Sequence, residues 1–249
     1  ANVLLTGDGD DVADGLGGND LLDGGDGDDT LNGGSGNDTA LYSHAAGGVS
    51  VNLLLGVASG DGDDKLSSIE TVVGSAFADT LVGSANGDNL QGGAGNDSIL
   101  GGAARDTLDG GAGDDTLDGG VRTDLFFNRD ANFLSYAADP AGVVVDLSGL
   151  TGTGTTGSGT ATDGYGGHDL IRNIGWVFGS ESADRITGSN ALQFEQFDGG
   201  GGNDTIDGGA IDDPIGRNSN RVSYERSTSG VVVNLGNGTA SGTASGNDS

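Results

Sequence analysis

GGAGNDSIL, GGAARDTLD and GGAGDDTLD follow one another without a break from Gly92 to Asp118. Each block opens on two glycines, places an aspartate sixth and an aliphatic residue eighth. Six glycine-rich residues suit a tight turn whose backbone visits positive φ. Three residues with one central apolar side chain suit a very short strand, that side chain turned inward. A strand this short has no stability alone, so the period predicts stacked copies that bury one continuous apolar row. Two blocks then complete a coil, and loops on the same side recur every two blocks.

The same register extends outward. Blocks begin at Thr6, Gly15, Gly24 and Gly33, at Ser59, from Gly74 through Gly83, Gly92, Gly101 and Gly110 to Gly119, and at Gly164, Gly179, Gly199 and Gly208. Their sixth positions are Asp11, Asp20, Asp29, Asp38, Asp64, Asp79, Asp88, Asp97, Asp106, Asp115, Asp124, Asp169, Asp184, Asp204 and Asp213. Asp79, Asp97 and Asp115 are expected along one edge of the coil, and Asp88, Asp106 and Asp124 along the other. Coils about 4.8 Å apart would bring these carboxylates into mutual repulsion. A solvated acidic face does not hold its acids at one turn position, so the rows call for a cation. Ca²⁺ takes six to eight oxygens at about 2.3–2.6 Å, carboxylate and backbone carbonyl alike. These fifteen aspartates are therefore the candidate metal ligands, with several calcium ions as cofactor and folding coupled to binding.

Composition agrees. The 249 residues include 53 Gly, no Cys, and 38 Asp plus Glu against 9 Lys plus Arg, for a net charge of −29. Nucleic acid and anionic membrane surfaces are excluded as partners by that charge, and no apolar run is long enough to span a membrane. Without cysteine, neither a disulfide nor a thiolate site locks the chain. No His-Glu-x-x-His zinc motif and no EF-hand loop occurs, and the glycine pattern at 152–157 lacks the strand–helix setting of a dinucleotide site. His44 and His168, the two histidines, are expected to bind and catalyse nothing, and the chain reads as no enzyme.

Gly24–Asn32, Gly92–Leu100, Gly110–Asp118 and Gly199–Asp207 match G-G-x-G-x-D-x-U-x at every fixed place. The chain thus resembles the RTX, or haemolysin-type calcium-binding, repeat family. That resemblance implies an all-β parallel β-roll with calcium between the loops. It also implies a bacterial protein exported by type I secretion to the cell surface or beyond.

A longer unit of about 90 residues encloses the short one. Tyr42, Tyr136 and Tyr224 each precede a Gly-Val-x-Val-x-Leu segment (Gly48–Leu53, Gly142–Leu147, Gly230–Leu235), and Ile69–Ser75 resembles Ile174–Ser180. One continuous array is expected, with sub-units at 1–41, 42–127, 128–216 and 217–249, in which these inserts continue the coil as longer rungs. Both ends fall inside the unit, so the chain is expected to be an excerpt of a longer array. Weak or interrupted sites are expected at Asn132 and Asn220, at Ala104-Arg105, at Val121-Arg122, at Gly188–Gln196, where the acid is missing, and at Pro214. The long loop from Gly149 to Gly164 reads as filler, and Trp176, Phe178, Phe194 and Phe197 as core or end packing.

The function so implied is a structural module of an adhesin, surface layer, filament or matrix protein, associating end to end and folding on calcium outside the cell. The alternative is the secretion and folding tail of an exoenzyme such as a protease, lipase or epimerase. An ice-binding face would need a regular outward threonine array, and Thr30, Thr39, Thr80, Thr107 and Thr116 are too irregular. The adhesion target is not written in the sequence.

Overall fold

Three residues between glycine turns form a strand only if the next coil pairs with them. In the computed structural model, which describes residues 1–121, 131–151, 156–189, 191, 194–209, 220–226, 231–234, 239–242 and 246–248, that pairing is parallel. No helix occurs among the described residues, and the chain divides into two compact units, Ala1–Val121 and Arg122–Ser249.

In the first unit, Val3–Leu5, Leu21–Asp23, Thr39–Leu41, Thr71–Val73, Asn89–Ala94 and Thr107–Ala112 neighbour one another in one sheet. Their central residues stack in register as Leu22, Ala40, Val72, Leu90 and Leu108. The alternate blocks build the opposite sheet, where Ala13 pairs with Leu31 and Leu81, Ile99 and Leu117 form a second row. All of these side chains are buried. The two rows face each other as the core of a parallel β-roll, the fold that the nine-residue period predicts.

Glycine is required where coils touch. Gly111 and Gly113 have φ of +85° and +143°, and a Cβ on either would strike the backbone of Gly93 or Gly95 in the coil below. A side chain at either place is excluded twice, by torsion and by space.

The inserts correct the sequence reading. Ser50–Asn52, Val57–Ser59 and Asp63–Ser67 form an antiparallel meander, and not longer rungs. The chain leaves Thr39–Leu41, lays down the strand farthest along, doubles back, and pairs Asp63–Ser67 parallel with Thr30–Asn32. Ser50–Asn52 meanwhile pairs parallel with Thr80–Val82. Across the core, Thr39–Leu41 still pairs directly with Thr71–Val73. One sheet thus gains three strands where the other gains none. Tyr42, Ala45, Val49 and Ile69 are buried in the interior this creates.

The second unit repeats the device. Val144–Asp146, Gly159–Thr162 and His168–Arg172 form the meander, and Val144–Asp146 pairs parallel with Arg185–Thr187. Asn132–Ser135, Ile174–Phe178, Gln196–Asp198 and Arg221–Val222 form the facing parallel sheet. A third meander joins Val231–Asn234, Thr239–Gly242 and Gly246–Asp248. The long loop after Gly149 closes on a hairpin, Leu150–Thr151 against Thr156–Gly157, with Leu150 fully buried. Phe197 is a core residue, whereas Trp176 and Phe178 are half-buried against Phe133, at ring distances of 4.5 and 5.3 Å.

Candidate metal centre

The turns place the sixth-position acids in ladders. Asp79 N–H donates to Asp97 Oδ1 at 2.8 Å, and Asp97 N–H to Asp115 Oδ1 at 2.8 Å. On the other edge Asp88 N–H donates to Asp106 Oδ1 at 2.9 Å. Asp11 to Asp29, Asp29 to Asp64, Asp20 to Asp38 and Asp184 to Asp204 repeat the bond at 2.8–3.0 Å. Each acid is thus fixed by the amide of its counterpart one coil earlier, usually 18 residues away. Asp169 lies beside the Tyr136 hydroxyl in the second meander. All of these acids are buried except Asp11, which is half-buried. Asp124 and Asp213 lie outside the described residues.

What happens to the second carboxylate oxygen divides the loops into two kinds. In the loops closed by Asp20, Asp29, Asp38 and Asp97, Oδ2 is buried and accepts no hydrogen bond. It folds back over the first glycine of its own block, Gly15, Gly24, Gly33 or Gly92, where a Cβ would collide with it. Beside it run backbone carbonyls of the next coil: the same Cβ on Gly92 would also strike Gly110 O. A charged oxygen desolvated without a donor costs several kcal/mol, about the penalty that a bound cation removes.

Loops with serine second satisfy the acid internally. Ser75 donates its N–H to Asp79 Oδ2 at 2.6 Å and its hydroxyl to Asp79 Oδ1 at 2.7 Å. Ser84 does the same for Asp88 and Ser180 for Asp184. Each serine Oγ also accepts a backbone N–H two residues on. Ser75, Ser84 and Ser180 stay out of the left-handed region that Gly93 and Gly111 occupy at the same place, and their amides turn onto the carboxylate. Asp79, Asp88 and Asp184 were grouped with the rest by spacing; their loops supply the donors that the glycine loops lack.

Two further acids escaped the spacing rule. Glu70 Oε2 accepts Asp38 N–H at 2.9 Å, so Glu70 takes the next place in that ladder. Glu195 is 1 % exposed, accepts Ser189 N–H, and has its Oε2 over Gly188. The block at Gly188 keeps its acid after all: a longer glutamate arm serves a loop two residues longer. Both were detectable in the sequence, since each keeps the two-block spacing to a later acid, Glu70 to Asp88 and Glu195 to Asp213. Asn220 joins the ladder by accepting Glu195 N–H at 3.2 Å, and its own amide donates to Gly208 O. Asn132 donates to Asn173 O at 3.2 Å. Each asparagine thus brings an N–H donor where the other blocks bring charge. At Ala104-Arg105 the register holds, with Ala104 at φ +69° in the glycine conformation and Asp106 fully buried.

Burial dominates the electrostatics. It pushes the Asp97 and Asp106 carboxyls up to about 7 and Asp109 up to about 6, and it raises Asp29, Asp64, Asp88 and Asp184 as well. Among the described residues no three acidic or histidine side chains converge as a metal cage. The donor set still fits a hard cation: one buried carboxylate per loop, an oxygen without a donor, and carbonyls from the adjoining coil. Asp20, Asp29, Asp38 and Asp97 are the side chains that would hold it, and the ion would supply the charge that the loops lack.

No curated protein matches the chain in sequence. The model of the RTX calcium-binding nonapeptide repeat, in four copies, matches residues 5–40, 66–99, 73–108, 91–121 and 195–213. The meanders lie outside those segments apart from Leu66 and Ser67 at the end of the first. Over those segments the chain carries nonapeptide repeats of the RTX calcium-binding type.

Proposed function

We propose that this chain is a calcium-locked structural module of a secreted protein, one that extends an adhesin, surface layer, filament or matrix. The observation that carries the reading is the buried, donor-free Oδ2 of Asp20, Asp29, Asp38 and Asp97. With a net charge of −29 and those oxygens uncompensated, the chain stays unfolded in a calcium-poor cytoplasm and is exportable. Outside, calcium at about 10⁻⁴–10⁻³ M orders the glycine loops. Asp64 and Asp169 in the meanders, and Asp79, Asp88 and Asp184 in the serine loops that follow them, have protein donors, so these stretches serve as calcium-independent seeds between calcium-dependent ones. A recurring seed-plus-ladder unit suits a repeated extender.

Circular dichroism with light scattering, from chelator to about 10 mM calcium and with magnesium as control, tests this. The expected result is cooperative gain of β signal with calcium alone, and scatter that grows in the same range. Full β signal in chelator overturns the calcium lock. Calcium-driven folding without growth in scatter favours the exoenzyme tail over an assembling extender.

A further inference from the structure

The turn after Arg221–Val222 sends one long basic side chain back across the sheet that the chain has just left. In that sheet Asn132–Ser135, Ile174–Phe178, Gln196–Asp198 and Arg221–Val222 lie side by side in this order. Arg226 Nε stands 3.4 Å from Asp198 Oδ1, at the end of the neighbouring strand, and the Asp198 side chain is 4 % exposed. Arg226 Nη2 reaches one strand farther and donates to Gly179 O at 3.1 Å. The guanidinium lies 5.0 Å from the ring centroid of Phe178, and that ring stacks on Phe133 at 5.3 Å. Gly200 leaves the arm its room, since a Cβ there would stand 3.1 Å from Nη2. One side chain thus joins its own turn to two earlier strands and, through Phe178 and Phe133, to a third.

Arginine carries a charge that neither calcium nor ordinary pH alters, in a planar fork that stacks and donates at once. A carboxylate and a first-glycine carbonyl are also what the glycine loops offer to an ion, as Asp97 and Gly110 O do around Gly92. Here a protein cation holds both kinds of oxygen. Burial raises the Asp184 carboxyl nearby, and the Arg226 charge opposes that rise. The place recurs in the chain. Arg226 stands two residues after Tyr224, as His44 stands two after Tyr42, and His44 Nδ1 lies 3.1 Å from the corresponding strand-end acid, Asp23. Ala138 takes the place after Tyr136. We propose that Arg226 is a built-in cation clasp, which fastens these four strands of the second unit by supplying the positive charge that calcium supplies to the glycine loops. This rests on the reading of the inserts as calcium-independent seeds, and it names the residue that fastens the third.

The test is amide hydrogen exchange of the full chain, read segment by segment in about 10 mM calcium and again in chelator. In calcium, Arg226→Gln is expected to speed exchange about tenfold in Ile174–Phe178 and Gln196–Asp198 and to leave Thr71–Val73 and Asn89–Ala94 as they were. Adding Asp198→Asn to Arg226→Gln is expected to recover part of the protection, because it removes a buried charge left without its partner. Arg226→Lys keeps the charge and loses the fork, so it is expected to keep only part of the protection. Unchanged exchange in Arg226→Gln overturns the clasp, and so does full protection in Arg226→Lys. Should Arg226→Gln unfold the whole chain, Arg226→Lys decides on the same segments. In chelator the parent reports on the seed reading separately: loss of all protection there refutes the seeds, while the calcium arm still judges the clasp.

Discussion

The Tyr42 hydroxyl donates to Asp64 Oδ2 at 3.0 Å, and Asp29 N–H holds the other oxygen of that carboxylate. Asp64 therefore ends its ladder with both carboxylate oxygens held by protein donors. Tyr136 makes the same bond to Asp169 at 2.8 Å. The antiparallel meander explains the need: past Asp64 the next strand runs the other way, so no loop stacks above it to share an ion.

Tyr42→Phe leaves a buried carboxylate oxygen without its donor. The expected loss is about 1–3 kcal/mol of stability, present in chelator and in calcium alike. Urea unfolding in both conditions measures it, and a loss confined to one of them contradicts the calcium-independent role given to the pair.

Asp97→Asn acts with opposite signs in the two conditions. The asparagine oxygen still accepts Asp79 N–H, but the desolvated charge is gone. In chelator the variant is expected to be as stable as the parent or more so; in calcium it is less stable and binds fewer ions. Native mass spectrometry counts the ions, and an unchanged count removes Asp97 from the ligand set.

Ser180→Gly separates the two kinds of loop. It deletes the hydroxyl bond to Asp184 Oδ1, and it frees the loop to adopt the left-handed turn of its glycine counterparts. A cost of about 1–2 kcal/mol is expected in chelator, recovered in part by calcium. An equal cost in both conditions denies that serine replaces the ion.

Much of this was legible in the sequence because the period is a steric rule. Leu90, Leu108, Ile99 and Leu117 are core residues because they stand eighth in blocks whose glycine-rich turns hold the register. The ladders follow from the same count. The meanders were not legible: Val51 and Val145 alternate as any strand does, and alternation is silent on strand direction. The division of the acids was missed for another reason. Spacing counts the sixth-place acid and takes no account of Ser75 and Ser84, whose side chains are donors that change what the loop needs. Glu70 and Glu195 were passed over by residue type, although both keep the two-block distance to the next acid.

Gly92 isolates space from torsion, because its φ lies outside the left-handed region. A Cβ there would meet Asp97 Oδ2, Asp97 Cγ and Gly110 O together. Gly92→Ala is expected to cost about 1–3 kcal/mol by overpacking and to weaken calcium binding, since the carboxylate must leave its place. Calorimetry of calcium binding checks it, and a neutral result would show that Oδ2 does not need the room over that glycine.

Acidity replaces calcium in part. Burial raises the Asp97 and Asp106 carboxyls to about 7, well above their value in an unfolded chain. Below about pH 4 both states are protonated and the protonated carboxyls contribute their full stability to the calcium-free roll. As pH rises toward 7 the unfolded chain releases these protons first, the folded chain binds more of them, and stability falls. The calcium-free chain is therefore expected to hold β structure near pH 5 and to lose it near pH 7.5, while calcium shifts that loss to higher pH. Circular dichroism against pH, in chelator and in calcium, follows both curves. A calcium-free roll more stable at pH 7.5 than at pH 5 would place the controlling charges elsewhere than in these ladders.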